Sequence, residues 1–335
     1  MAICIGLDVH TKTCFFKAKD ENGCLIDSGT ILSTPVELAK LAQQYQGATV
    51  VIEASGVSEW VYDLFAEKGL TPVLCHPLNI RRVLGKKSDK IDAGFLADAY
   101  QLGSLPLSWM PPRDIRALRQ LTRRCAFYTN EKIRVKNRIH AILKRKGIKI
   151  ADDKTGINAC DIFAKKHRQQ LLAIGDPDIS EMLEFLDYIE DKRKDADKEL
   201  IMTSSQNPDI RNLMTIPGFG PLVAIGIYAE IGDISRFQNA EHLSSYFGLV
   251  PTESQSGESR IRGHITHRGI SVAKWLLTQA AWTHVYACPE STITKKYKRL
   301  AKRIGKKKAI VAVCRMLVKV CYHLMIDKRS FRPAG

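Results

Sequence analysis

No two of the nine cysteines, at positions 4, 14, 24, 75, 125, 160, 288, 314 and 321, form a CxxC pair. That absence argues against both a zinc site and a disulfide framework. Cysteines scattered through apolar runs act as small hydrophobes, and a reducing cytosol suits them. No stretch near the start has the build of a secretory signal. The most apolar late stretch, Ala309 to Met325, is broken by Arg315 and Lys319, so it does not read as a membrane span. Acids are scarce: 35 Asp and Glu stand against 51 Lys and Arg, a formal net charge of +16. Such an excess points to a polyanionic partner, nucleic acid first. A ribosome-associated or membrane-surface protein would share it. At 335 residues the chain can hold two or three domains and bury a core without difficulty.

Against that background four acids stand out. Asp8 closes Ile3-Cys4-Ile5-Gly6-Leu7, and Glu53 closes Ala48-Thr49-Val50-Val51-Ile52. Both runs are short, apolar and rich in β-branched residues, which predicts buried strands. A carboxylate ending such a strand is costly to bury unless it meets a cation. Asp89 and Asp92 are three apart at the start of a helical pattern, so they share a face. Four acids meeting at one sheet edge would make a hard oxygen site suited to Mg²⁺, with Mn²⁺ as its substitute. The plain alternative is a turn acid at Asp8 and ordinary first-turn acids at Asp89 and Asp92.

Residues 2–31 read as a three-stranded meander. Thr34-Pro35-Val36-Glu37 opens a helix, with Thr34 as its cap. A strand at 48–53, a helix over 58–68, a strand at 70–75 and helical pieces over 78–84 and 89–101 follow. Three antiparallel strands and then β-α-β-α is the ribonuclease-H-like (RuvC-like) order. The expected fold class is therefore α/β plus all-α: a catalytic domain over 1–110, a coiled-coil arm over 111–204, and a helical domain over 205–335. After Pro111-Pro112 a long helix carries Leu118, Leu121, Cys125, Tyr128, Val135, Ile139 and Ile142 in an a/d register. Its other faces are almost all cationic, with Arg116, Arg119, Arg123, Arg124, Arg134 and Arg138 among them, which suits a phosphate-facing surface. Residues 147–178 read as irregular. A second helix from about Ser180 has Met182, Phe185, Leu186, Ile189, Ala196 and Leu200 as its apolar stripe. It would pack antiparallel on the first helix or pair with another protomer.

In the last third, Ile216-Pro217-Gly218-Phe219-Gly220-Pro221 lies between two helical stretches. Gly218 and Gly220 there could expose backbone N–H groups to a phosphate, or simply turn the chain. Residues 252–269 read as a long hydroxyl-rich, basic loop, of a length that is usually functional or disordered. Within it Ser256 precedes Gly257 and the guanidiniums of Arg260, Arg262 and Arg268. That is a setting for a nucleophile beside phosphate clamps, or for a flexible Ser/Gly loop. Helices follow over 270–286, about 291–303 and 307–326. Lys306 and Lys307 belong to a dense basic band that begins at Lys295, an electrostatic footprint without sequence specificity.

The order of these motifs resembles the DEDD-type insertion-sequence transposases related to Piv invertases, the bridge-RNA (seek-RNA) guided recombinase family. Gly-Leu-Asp-Val-His at 6–10, Ile-Glu-Ala-Ser-Gly at 52–56 and Ser-Asp-Lys-Ile-Asp-Ala at 88–93 carry the first half of the likeness. Ile-Pro-Gly-Phe-Gly-Pro, Ala-Glu-Ile-Gly-Asp at 229–233, Tyr-Phe-Gly-Leu-Val-Pro at 246–251, Ser256-Gly257 and Arg268-Gly269 carry the second. The resemblance implies that Asp8, Glu53, Asp89 and Asp92 bind metal and that Ser256 joins covalently to a DNA phosphate. It also implies donor and target DNA, a guide RNA and a dimer or tetramer as partners, in a bacterial or archaeal cytosol. Members of the family often show Ser-Ser-Gly, whereas this chain has Gln255-Ser256-Gly257, with Ser254 and Ser259 close by. The chief alternative is a RuvC-like nuclease or Holliday-junction resolvase in which water attacks. An actin-like ATPase also opens with a strand ending in Asp, but no later Gly-rich adenosine motif follows. A nucleic-acid-binding scaffold would need no acids at all.

Overall fold

The computed structural model describes residues 2–76, 89–148, 161–164, 167–204, 206–256, 259–265 and 271–332. For 89–92, 161, 251–256 and 259–265 it describes the backbone alone. The expected helix at 78–84 lies outside the described residues, as does Arg268. The chain divides into two compact units, Met1–Pro111 and Pro112–Gly335.

The first unit is a six-stranded sheet with helices on both faces. Its strands are β1 (Cys4–Val9), β2 (Thr13–Lys19), β3 (Leu25–Leu32), β4 (Thr49–Glu53), β5 (Thr71–Cys75) and β6 (Leu107–Ser108), in the order β3-β2-β1-β4-β5-β6. The first three form an antiparallel meander, β4 and β5 run parallel to β1, and β6 returns antiparallel. Every residue of β1 is buried, as its unbroken apolar run requires of a central strand. One face carries Ile5, Leu7, Val50 and Ile52. They pack on Leu38 and Leu41 of α1 (Pro35–Gln44) and on Val61 and Phe65 of α2 (Ser58–Glu67). Thr34 caps α1 by accepting from the Glu37 N–H. The opposite face carries Cys4, Val51 and Cys75 against Leu96, Ala97 and Ala99 of α3 (Asp89–Gln101).

Contact between α3 and the sheet is closest at Gly6. A Cβ there would stand 1.9 Å from the Ala93 carbonyl oxygen and 3.0 Å from the Ala97 nitrogen. Backbone cannot yield as a side-chain tip can, so only glycine fits. Gly6→Ala is expected to destabilise the fold by about 3 kcal/mol, the upper range for overpacking a core. Urea unfolding followed by circular dichroism reads this directly. A variant as stable as the parent would contradict the contact.

In the second unit α4 (Arg113–Arg145) packs antiparallel on α6 (Pro177–Ser204), with Val135, Ile139 and Ile142 against Leu183, Leu186 and Ile189. Ion pairs fix the register: Arg124 with Glu199, Lys132 with Glu190 at 2.6 Å, and Lys146 with Asp176 at 2.6 Å. Three expectations need correction. Phe185 is 47% exposed and outside the stripe, because Ile179 and Leu183 set the buried phase of the helix. That helix begins at Pro177 rather than Ser180, where the Asp176 carboxylate accepts from the Ile179 N–H. The described part of the stretch read as irregular contains a further helix, α5 (Arg168–Leu172), whose Leu171 joins the core.

The remaining elements are α7 (Pro208–Met214), α8 (Pro221–Ile231), α9 (Ala240–Tyr246), β7 (Pro251–Ser256), β8 (Ser259–Ile265), α10 (Ser271–Ala287), α11 (Thr292–Ile304) and α12 (Lys306–Asp327). Asn207 and Asn239 cap α7 and α9 through their side-chain oxygens. Alone among the described helices, α12 is long and apolar enough to cross a membrane, and half of its most apolar window is buried. Val313, Leu317, Cys321 and Leu324 lie in the interior, and Arg315 and Lys319 both bond Glu241 of α9. Its apolar character serves a protein core.

Candidate functional site

The first unit has an edge where the carboxyl ends of two neighbouring parallel strands lie together. β1 and β4 are paired in register as far as Leu7 and Ile52, which brings Asp8 and Glu53 next along the two strands. In a sheet of this kind the crevice beyond the carboxyl ends is the usual place for a ligand. Asp8 is 7% exposed and stands 3.3 Å from His10 Nε2. Glu53 pairs with Cys75 in register. Burial, reinforced by the Glu53 charge, pushes the Cys75 thiol up to about 12. Burial likewise raises the Cys14 thiol, with Asp8 adding to it, while bonds from Ser33 and His10 work the other way. These thiols stay protonated at neutral pH and are not nucleophiles.

The other two acids arrive by helix. α3 runs antiparallel to β1: Ala97 lies over Cys4, with its carbonyl 3.9 Å from that thiol sulfur, and Ala93 lies over Gly6. Two residues further along the strand is Asp8, and one turn earlier on the helix is the segment 89–92. The fold therefore brings the turn bearing Asp89 and Asp92 toward the edge that holds Asp8 and Glu53. Among the described residues no group of three His, Cys, Asp or Glu is close enough to hold an ion. The described half of the set is a buried Asp beside a Glu. That hard-oxygen pair fits Mg²⁺ and not a softer ion.

Ser256 is the last residue of β7. The described residues of the stretch expected as a loop instead form two paired antiparallel strands, with Ser256 opposite Ser259, Gln255 opposite Arg260 and Glu253 opposite Arg262. Its residues alternate without an apolar side, so the strand pattern was hidden behind Ser, Thr and Gly, which usually mark loops. By alternation positions 254, 256, 259 and 261 fall on one face of the ribbon. Positions 253, 255, 260 and 262 fall on the other. Ser256 therefore shares its face with Ser254 and Ser259, and not with Arg260 or Arg262.

The expected cationic contacts divide into engaged and open. Arg123 bonds the carboxylate of Glu230 at 3.1 Å, and Arg119 reaches the same carboxylate at 3.2 Å. Glu230 is 3% exposed, and a buried acid of this kind needs both guanidiniums. Arg124 bonds Glu199, and Arg134 bonds Glu131 at 2.6 Å, while Arg138 is exposed. Arg116, expected on the charged surface, is 9% exposed and therefore buried. Glu230 was missed in the sequence, since its partners lie more than a hundred positions away. Gly218 has φ 97°, and a Cβ there would come within 2.5 Å of the Ala280 carbonyl oxygen. Next to it the buried His284 links the Pro217 carbonyl at 2.9 Å to Ser291 at 3.1 Å. Gly218 thus seats the turn on α10, whereas Gly220 is exposed at the start of α8.

A larger group of exposed cations is on α11 and α12. Lys296, Arg299, Lys302, Arg303, Lys306 and Lys307 are all exposed, and Glu290 pairs with Lys295. Lys306 and Lys307 stand in the first turn of α12, which has no acid. Lysines are disfavoured at the positive end of a helix unless an anion gathers there. A nucleic-acid backbone is one anion that would suit such a place.

An acid edge in an α/β sheet, on a chain with exposed basic helices, defines an enzyme that works on nucleic-acid strands. Comparison with known proteins gives the family. A family model described as "Transposase IS116/IS110/IS902 family" matches residues 210–298. A second, a DEDD transposase model of the IS110 type, matches residues 5–147. The transposase for insertion sequence element IS1111A of Coxiella burnetii is 26% identical over 84% of this chain and 79% of its own length. The pilin gene-inverting protein of Moraxella bovis is 25% identical over 98% of this chain and 97% of its own. The chain is a transposase of the IS110/IS116/IS902 family, an enzyme that cuts and rejoins DNA.

Proposed function

We propose that this transposase exchanges DNA strands through a serine-linked intermediate, with a ribonuclease-H-like (RuvC-like) first domain whose four acids hold the metal. The observation carrying the reading is the neighbouring position of Asp8 and Glu53 beneath the turn that holds Asp89 and Asp92. Bound by those four carboxylates, Mg²⁺ (or Mn²⁺) would supply Lewis-acid charge at the scissile phosphate. The Ser256 hydroxyl attacks phosphorus. A bond forms between its Oγ and phosphorus, the bond to the 3′ oxygen breaks, and the serine proton ends on the freed 3′-hydroxyl. That hydroxyl then attacks the phosphoserine of another strand, returning Ser256 to its hydroxyl form, so the exchange needs no water. Exposed cations of α11 and α12, with Arg138, Arg260 and Arg262, grip backbones without reading bases.

The partners are donor DNA, target DNA and a guide RNA that pairs with them, leaving the protein to recognise shape and phosphate. The active form is a homo-oligomer, a dimer or a tetramer, in the cytosol, with the helices over 113–204 as its coiled-coil arm. Two measurements test this reading. RNA that co-purifies with the protein from its native host should map beside the element's own termini, and protein stripped of it should lose exchange between donor and target plasmids. Full exchange by RNA-free protein would remove the guide from the proposal.

A further inference from the structure

The face of the sheet that carries the acids also carries a lysine. Lys17, in the middle of β2, pairs in register with Gly6. Antiparallel partners point to the same side of a sheet, so Lys17 belongs to the face of Gly6 and Asp8. Asp8 is its diagonal neighbour, a relation of about 7–8 Å between backbones that long side chains can bridge. Two residues along, Lys19 occupies the same face and bonds Asp98 of α3. Among the described residues Lys17 has no such acid.

Its surroundings are fitted to it. The Lys17 stem lies against α3 at Gly94. A Cβ built there would stand 3.1 Å from the Lys17 Nζ and 3.3 Å from its Cδ. Glycine in a helix interior is destabilising against alanine, and here it leaves room for the lysine. Lys17 is partly buried, and its ammonium lies against the second turn of α3, toward the positive end of that helix. A cation so placed needs an anion.

We propose that Lys17 is a further residue of the reacting centre, its ammonium seated beside Gly94 on the face of Asp8 to hold a non-bridging phosphate oxygen of the strand being cut. Held there, it supplies a fixed positive charge to a site otherwise built of carboxylates. The inference rests on the acid-edge reading above.

The test compares Lys17→Met, Lys17→Arg and Gly94→Ala in the full-length protein. Strand exchange between donor and target plasmids should fall at least tenfold in Lys17→Met and be largely restored in Lys17→Arg. Gly94→Ala should lose exchange while its urea midpoint stays level or rises, because the methyl displaces a side-chain tip and improves the helix. The second readout is Mn²⁺ binding to the free protein, followed by electron paramagnetic resonance. Removing a like charge should tighten binding several-fold in Lys17→Met. A wild-type exchange rate, an unchanged Mn²⁺ affinity, or a loss that Lys17→Arg does not restore would each overturn the proposal. Asp8→Asn separates the two ideas: if it too exchanges strands normally, the acid edge itself is wrong, and if it alone is inactive, only the role of Lys17 falls.

Discussion

Asp8→Asn is expected to stop strand exchange while leaving the fold intact. Asparagine has the shape of aspartate, so the buried strand end keeps its packing. On the proposed reading it loses the charge that a divalent ion would require, and the remaining carboxylates would not replace a ligand fixed on the central strand. Losing several kcal/mol of charge stabilisation at the phosphate corresponds to roughly 10³-fold in rate. The same preparation should show wild-type urea unfolding and unchanged DNA retention in a gel at low salt, since the proposal assigns backbone contacts to the lysines and arginines. Removing the metal from the parent protein with EDTA should reproduce the variant's inactivity, and added Mg²⁺ should reverse it. An Asp8→Asn protein with more than about a tenth of parental exchange would refute the metal role of this edge.

The second large effect concerns Ser256. If its hydroxyl is the nucleophile, Ser256→Ala should abolish exchange, by about 10⁴-fold or more as for other enzymes deprived of their attacking group. Trapping with a nicked donor should yield a protein–DNA adduct from the parent protein, stable to detergent, and none from the variant. Hydrolysis by water would instead leave cleavage intact and give no adduct in either protein. Ser254 and Ser259 provide the control. Both share the ribbon face of Ser256, so Ser254→Ala and Ser259→Ala should retain the adduct. Loss of it in one of them alone would transfer the role to that serine.

What could be read in the sequence follows from how local each feature is. The strands ending in Asp8 and Glu53 were legible because a β-branched run with a terminal acid is a local pattern. The start of α3 was legible because two acids three apart open an apolar helical period. The cap at Thr34 was legible for the same reason. Partnership was not. Whether Arg123 faces phosphate or Glu230 depends on how α4 meets α8, which no local pattern records. The phase of α6 was misread at Phe185, because an aromatic beside Leu186 weighs as much in a stripe as a residue that is truly inside. The strand pair bearing Ser256 was missed for a different reason. Its two strands have hydroxyls and charges where an amphipathic strand would have leucine or valine, so alternation left no hydrophobic trace.

The meeting of backbone with backbone at Gly6 also governs which changes in chain length this family fold can absorb. A residue added or removed between Cys4 and Asp8, or between 89 and 97, would slide β1 and α3 along one another and lose that backbone fit. Insertions at the turn between β2 and β3 would leave that gearing untouched. Length variation among natural relatives should therefore collect in such turns and avoid the two geared segments, a pattern that an alignment can look for without any assay.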